Sequence, residues 1–212
     1  DARRGIVVAD WVEGDPMDTH PPTSEQLGQV GELLGGLHAL PLPAGLPAPA
    51  PTAGLLAAAG AVASVRPATA GHAAALARSL LAQTATSHRR TVVHGDFSAD
   101  QVVLGPGGAV VLLDLDRLTL GDPIDDLAGW VAAEITGGRC PARSRPADVA
   151  ATMLAGYRGP APIPTGRPLD LAVAAALLRR AVEPFRLRRP GWPDEVDLTV
   201  ERAVELAAGR RS

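Results

Sequence analysis

Apolar residues recur at helical spacing early in the chain, change to strand-like runs near its middle, and return to helical spacing afterwards. Gly5 to Val12 (GIVVADWV) reads as a short strand ended by Glu13-Gly14-Asp15-Pro16. Leu27, Val30, Leu34 and Leu37 then predict a helix running to Leu40, with Thr23 as N-cap and Gln26 three residues on. Pro41 to Pro51 reads as a Pro-rich linker, followed by two Ala-rich helices over Thr52–Val65 and Ala68–Thr86. After Arg90 the pattern shortens. Thr91–Val93, Gln101–Leu104 and Ala109–Leu115 read as strands, the last two joined through Gly105-Pro106-Gly107-Gly108 as a hairpin. Gly121-Asp122-Pro123 turns the chain into a helix over Asp125–Ile135, and Gly137–Ser144 is a loop. Three more helices are predicted over Pro146–Tyr157, Pro168–Leu187 and Pro193–Ala208, with Pro184 kinking or ending the second. The predicted class is mainly α with a small β hairpin (α+β).

Composition narrows the chemistry. Of 212 residues, 46% are hydrophobic and 20% charged, so the chain is globular rather than disordered. All twenty basic side chains are Arg; there is no Lys and no Asn. A P-loop is therefore excluded, because that motif depends on its lysine. The net charge of −3 shows no basic surplus of the kind nucleic-acid binding uses. The single cysteine, Cys140, excludes an internal disulfide and a cysteine-rich zinc site, and fits a cytoplasmic protein. The apolar run Ala53–Val65 stops at Arg66, short of a membrane span, so no membrane partner is expected. A start at Asp1 that leads directly into a strand-like run suggests a domain cut from a longer protein.

The densest polar cluster is His94-Gly95-Asp96-Phe97-Ser98-Ala99-Asp100-Gln101, followed by Leu113-Asp114-Leu115-Asp116-Arg117. Acidic residues are unfavourable in an apolar strand unless paired or metal-bound. Asp114 interrupts Val110-Val111-Leu112-Leu113, where a purely structural strand would continue with another Val. A hairpin that returns the chain can bring Asp114 close to Asp96 and Gln101. Two carboxylates and a side-chain amide at one hairpin suit a hard cation.

HGDFSADQ, LDLD and GDPIDDLA, in that order, resemble the catalytic and metal loops of the aminoglycoside phosphotransferase family, small-molecule kinases related in fold to protein kinases. The family pattern is close to HGDxxxxN, then IDF or IDW, then GDPxxDLA. Trp11-Val12-Glu13-Gly14 resembles the end of the hinge, and Leu34-Gly35-Gly36-Leu37-His38-Ala39-Leu40 the first helix of the large lobe. The resemblance implies the C-terminal lobe of a protein-kinase-like phosphotransferase. Residues 1–14 would be a hinge strand from a missing N-terminal lobe, and 15–212 the helical lobe with its catalytic and metal loops in 91–128. It implies ATP as phosphoryl donor (GTP as an alternative), Mg²⁺, and a small-molecule hydroxyl acceptor of aminoglycoside-like or sugar-like kind. Asp96 would accept or orient the proton of the acceptor hydroxyl. Gln101 and Asp114 would hold Mg²⁺, and Ser98 would meet the transferred phosphoryl group. The backbone of Asp10 and Val12 would pair with the adenine edge. His94, Asp122 and Asp126 would brace the loop, and Asp116 is either a second metal contact or a partner for Arg117. Gln101 departs from the pattern by standing where the family has Asn, as in the maltose kinases. The family's phosphate-contacting lysine has no counterpart here.

These two departures keep a second reading open, a kinase-like binding or regulatory module without catalysis. A third reading, Asp114-Leu115-Asp116 as the metal motif of a glycosyltransferase, needs alternating strands and helices that the pattern lacks. His20, His38, His72 and His88 have no ligand spacing and read as packing or surface residues; Arg139, Arg143 and Arg145 read as a solvated loop.

Overall fold

The structure, a computed structural model, describes residues 11–42, 45–46, 51–83 and 90–209. Helix α1 (Ser24–His38) starts where Thr23 and Gln26 predict. The Gln26 N–H donates to the Thr23 hydroxyl at 3.2 Å, and the Thr23 N–H donates to Gln26 Oε1 at 2.8 Å. This reciprocal capping box satisfies two otherwise orphaned amides. The Ala-rich pair follows as α2 (Pro51–Val65) and α3 (Ala70–Gln83), separated by a 3-10 turn at Pro67–Thr69. Then come α4 (Pro123–Thr136), α5 (Pro146–Gly156), α6 (Arg167–Arg180), the short α7 (Glu183–Arg186) and α8 (Trp192–Ala207).

Helices α4 and α6 pack on each other at the centre, with Leu127, Val131, Val173, Leu177 and Leu178 buried. Helix α8 also packs on α6, and α5 packs on α1. That second contact is backbone to backbone. A Cβ at Gly31 would collide with the Met153 carbonyl oxygen, one at Gly156 with the Gly28 carbonyl, and one at Gly35 with the Arg158 and Gly159 amides.

The helix predicted over Pro168–Leu187 is two helices. The Pro184 ring cannot share a helical turn with the carbonyl four residues back, that of Arg180, and α6 stops at that residue. The Arg loop is solvated and paired: Arg139 with Glu134, Arg143 with Glu205 and Arg145 with Asp148.

Among the described residues, five short strands form two small sheets. β3 (Val102–Leu104) and β4 (Val110–Leu112) are the predicted antiparallel hairpin, with Val103 opposite Val111. β1 (Asp15–Pro16) adds to its edge, so Asp15-Pro16, read as a strand's end, is itself paired. β2 (Thr91–Val93) pairs antiparallel with β5 (Thr119–Gly121), a partner the sequence pattern did not identify. The strand expected to reach Val12 falls mostly outside the described residues, and Trp11 and Val12 carry no strand. No described helix is long and apolar enough to cross a membrane.

Candidate active site

The loop after β2 is anchored from below by Phe97. Its ring is buried against Trp130 of α4, with centroids 5.2 Å apart, and against His94 at 5.9 Å. Gly95 sits at φ +81°, and a Cβ there would lie 2.5 Å from the Arg117 carbonyl oxygen. Both the conformation and the close approach require glycine. The β2–β5 pairing therefore presses the Asp96 loop directly against the segment that carries Asp114.

One side of the loop is fixed by buried polar groups. Asp126 of α4, 2% exposed, accepts the His94 N–H at 2.7 Å and the Gly95 N–H at 2.9 Å. It also pairs with His38 Nε2 at 3.0 Å, and His38 Nδ1 lies 2.9 Å from the Tyr157 hydroxyl. His94, fully buried, places Nε2 2.9 Å from the Leu113 carbonyl, while its Nδ1 accepts the Asp96 N–H at 3.3 Å. A carbonyl only accepts, so the His94 proton sits on Nε2. That one ring ties the Asp96 amide to the residue before Asp114.

The other side faces out. Asp96 is half-buried, and its Oδ2 lies 3.6 Å from Arg117 Nε. Asp114 is exposed and left-handed, φ 54° and ψ 57°, where β4 was expected to continue to Leu115. The strand stops at Leu112 because Asp114 turns the chain out of the sheet into a 3-10 turn, Leu115–Arg117, that carries the exposed Asp116. Leu113 N–H donates to the Gln101 carbonyl at 2.8 Å, so Gln101 and Asp114 emerge together at the end of the hairpin. Gln101 Nε2 donates to Asp100 Oδ2 at 3.1 Å. Ser98 is buried, and its hydroxyl donates to Asp100 Oδ1 at 2.5 Å. Asp122 caps α4 by accepting the Ile124 N–H at 3.1 Å. Val12 is half-buried, and Asp10 lies outside the described residues. Among the described residues, no three or more His, Cys, Asp or Glu side chains gather as a metal-holding group.

Residues 1–169 match the phosphotransferase enzyme family, the one whose motifs run through this loop. The chain belongs to that family. No curated protein matches it in sequence. Among solved structures it is similar to the spectinomycin phosphotransferase APH(9)-Ia in complex with ADP and spectinomycin. That match has a TM-score of 0.63 at 14% identity and covers 92% of this chain and 69% of the other. It is also similar to the choline kinase LicA of Streptococcus pneumoniae, with a TM-score of 0.57 at 14% identity, covering 87% and 64%. The GDP and kanamycin complex of APH(2")-IIIa gives a TM-score of 0.57 at 16% identity, covering 92% and 69%. At these identities the likeness establishes a shared protein-kinase-like fold.

In this phosphotransferase-family chain, sequence reasoning missed two residues of the braced side. Of the two alternatives for His38, packing holds, since it is 1% exposed; its bonds at both ring nitrogens are what the pattern does not show. A signal was available, since His38 falls four residues after Leu34 and eight after Val30, on the buried stripe of α1. A polar residue on such a stripe needs buried partners. Tyr157 had no comparable signal; only the α1–α5 packing brings it to His38.

Proposed function

We propose that this chain transfers the γ-phosphoryl group of ATP to a hydroxyl of a small molecule, aminoglycoside-like or sugar-like. The observation that carries the reading is the two-sided loop: Asp96 is half-buried, the two amides before it are held from behind by Asp126, and His94 ties the Asp96 amide to Leu113, the residue before Asp114. In the step, the acceptor oxygen bonds to the γ-phosphorus while the bond to the β–γ bridging oxygen breaks. The hydroxyl proton passes to the Asp96 carboxylate, and ADP leaves. Asp114 supplies a carboxylate, and Gln101, whose Nε2 is directed to Asp100, has its amide oxygen left to accept. These are hard oxygen donors that fit Mg²⁺, which in such a site neutralises charge on the nucleotide phosphates. Ser98 meets the phosphoryl group only after its hydroxyl leaves Asp100. Asp10 and Val12 offer backbone groups to the adenine edge, and Asp116 adds negative charge next to Asp114. His94, Asp122 and Asp126 hold the loop. The family's phosphate-contacting lysine has no counterpart among these 212 residues, and we assign that contact to the N-terminal lobe whose last strand residues 1–14 would form. The complexes of related folds with ADP, AMP and GDP support a nucleotide donor without choosing between ATP and GTP.

The test uses the full-length protein, screened for nucleotide consumption against aminoglycosides and sugars. Asp96→Ala is expected to abolish the turnover seen with the right acceptor; turnover that survives overturns the assignment. Gln101 in place of Asn favours the non-catalytic reading, and a nucleotide-induced thermal shift with no turnover on any acceptor supports it instead.

A further inference from the structure

The geometry assigns Tyr157 a positioning role: its hydroxyl sets the catalytic loop through His38 and Asp126, 119 residues away along the chain from His38. The role rests on the proposed function only in what it is for; the contacts stand without it.

Three buried side chains lead in line to two loop amides. The Tyr157 hydroxyl meets His38 Nδ1 at 2.9 Å, and His38 Nε2 meets Asp126 Oδ2 at 3.0 Å. Asp126 then holds the His94 and Gly95 amides at 2.7 and 2.9 Å. Their side chains are buried throughout, from His94 at 0% to Tyr157 at 9% exposure. The direction of the bonds follows from the donors available. Asp126 accepts two backbone N–H groups and, as a carboxylate, has no proton to give, so His38 must donate from Nε2. Nδ1 is then the acceptor of the hydrogen bond that the Tyr157 hydroxyl donates. Without that hydroxyl, Nδ1 is left buried without its donor, and the ring loses the contact that fixes its orientation towards Asp126. Asp126 Oδ2 serves both His38 and the His94 amide, so a ring that turns away releases the carboxylate that sets the loop.

The surrounding backbone is cut to fit this contact. Gly35 leaves room for the Arg158 and Gly159 amides against α1. Gly159 itself has no room for a side chain, because a Cβ there would fall on the Tyr157 hydroxyl oxygen. Gly159→Ala therefore displaces the hydroxyl while leaving Tyr157 in the sequence, and Tyr157→Phe removes the hydroxyl while leaving the ring.

Both variants, singly and together, are made in the full-length protein. Amide hydrogen exchange is read at His94 and Gly95, alongside kcat and the KM for nucleotide. Each single variant is expected to speed exchange at these two amides about tenfold, roughly the effect of one buried hydrogen bond. Amides of α5 should keep the parent rate. The double variant should be no worse than the worse single one, since both remove the same bond. Turnover should fall about tenfold in kcat with the nucleotide KM unchanged, because the loop carries Asp96 and not the adenine contact. Unchanged exchange at His94 and Gly95 overturns the role, as does faster exchange spread evenly over α1 and α5, which marks a merely structural contact. Freed amides with unchanged kcat overturn it too. If the parent protein turns over no nucleotide, the proposed function fails, and the exchange pattern alone decides whether Tyr157 sets the loop.

Discussion

The two sides of the Asp96 loop are built from the same kind of residue and treated oppositely. Behind the loop, Asp126 is 2% exposed and accepts three hydrogen bonds, two from the loop's own backbone. In front, Asp114 and Asp116 are exposed, and Asp114 is held in a left-handed conformation that non-glycine residues rarely adopt. A fold that only needed a turn would put glycine or asparagine at position 114. The contrast separates carboxylates that specify the loop from carboxylates that the loop presents. It predicts that the first kind carries stability and the second kind carries chemistry.

The largest effect follows from breaking the buried side. Asp126→Ala strands two backbone amides and His38 Nε2 in the core. Losing one partner from such a buried, charge-assisted set costs on the order of 3–5 kcal/mol, and a melting temperature roughly 10 °C lower is expected. Asp114→Asn is the matched change in front. Asn tolerates the left-handed region, and position 114 is exposed, so the melting temperature should move by no more than a degree or two while turnover is lost. Calorimetry on the two variants decides the matter. Similar destabilisation by both would dissolve the distinction between the two sides.

A smaller effect tests what holds the braced side together. Helices α1 and α5 approach through Gly28, Gly31 and Gly35, and a methyl at Gly31 would meet the Met153 carbonyl rather than a flexible side-chain end. Gly31→Ala gains helix propensity on α1 but forces the helices apart. Overpacking of this kind costs about 1–3 kcal/mol, and the net change is a loss of stability. Because Tyr157 follows directly on α5, the same variant should also lower kcat. A stabilised Gly31→Ala protein would show that α5 adjusts freely and does not fix the loop.

Much of this arrangement was legible in the sequence wherever the determinant was local. Thr23 and Gln26 form their capping box, Asp122 caps α4, and the Gly-Pro-Gly-Gly segment closes the hairpin. The motif residues were recognisable as residues, because HGD, LDLD and GDPIDDLA are short contiguous strings. What was not legible depends on pairs distant in sequence. β2 and β5 are three-residue strands whose pairing only the fold enforces, and so is the addition of β1 to the hairpin. Asp114 looked like a continuing strand because Val110 to Leu113 is apolar; the left-handed turn that ends β4 has no apolar signature. His38 carried a usable signal, a polar residue on a buried stripe, whereas its two partners lie 88 and 119 residues away.

The smallest prediction uses a carboxylate remote from the loop as a control for burial. Asp197 of α8 accepts from Arg66 Nε and Nη2, at 3.1 and 2.7 Å, and from the Thr69 hydroxyl. It therefore has as many donor groups as Asp126, but about a quarter of its side chain is open to solvent. The hydrogen bonds from Arg66 and Thr69 lower its pKa below the ordinary aspartate value. A lowered folded-state pKa means that the stabilisation is complete above the ordinary aspartate range and is lost as pH falls through the lowered value. Water competes for these bonds, so Asp197→Asn should lower the melting temperature by only about 2 °C at neutral pH. That gap should close as pH drops below the aspartate range, and it should shrink in high salt. Thermal melts of parent and variant across acid pH measure it. Equal hydrogen-bond donors with a several-fold smaller effect would place the weight of Asp126 in its burial. An Asp197→Asn loss as large as that of Asp126→Ala would instead place it in bond number, and the brace of the Asp96 loop would then be no different from a surface pair.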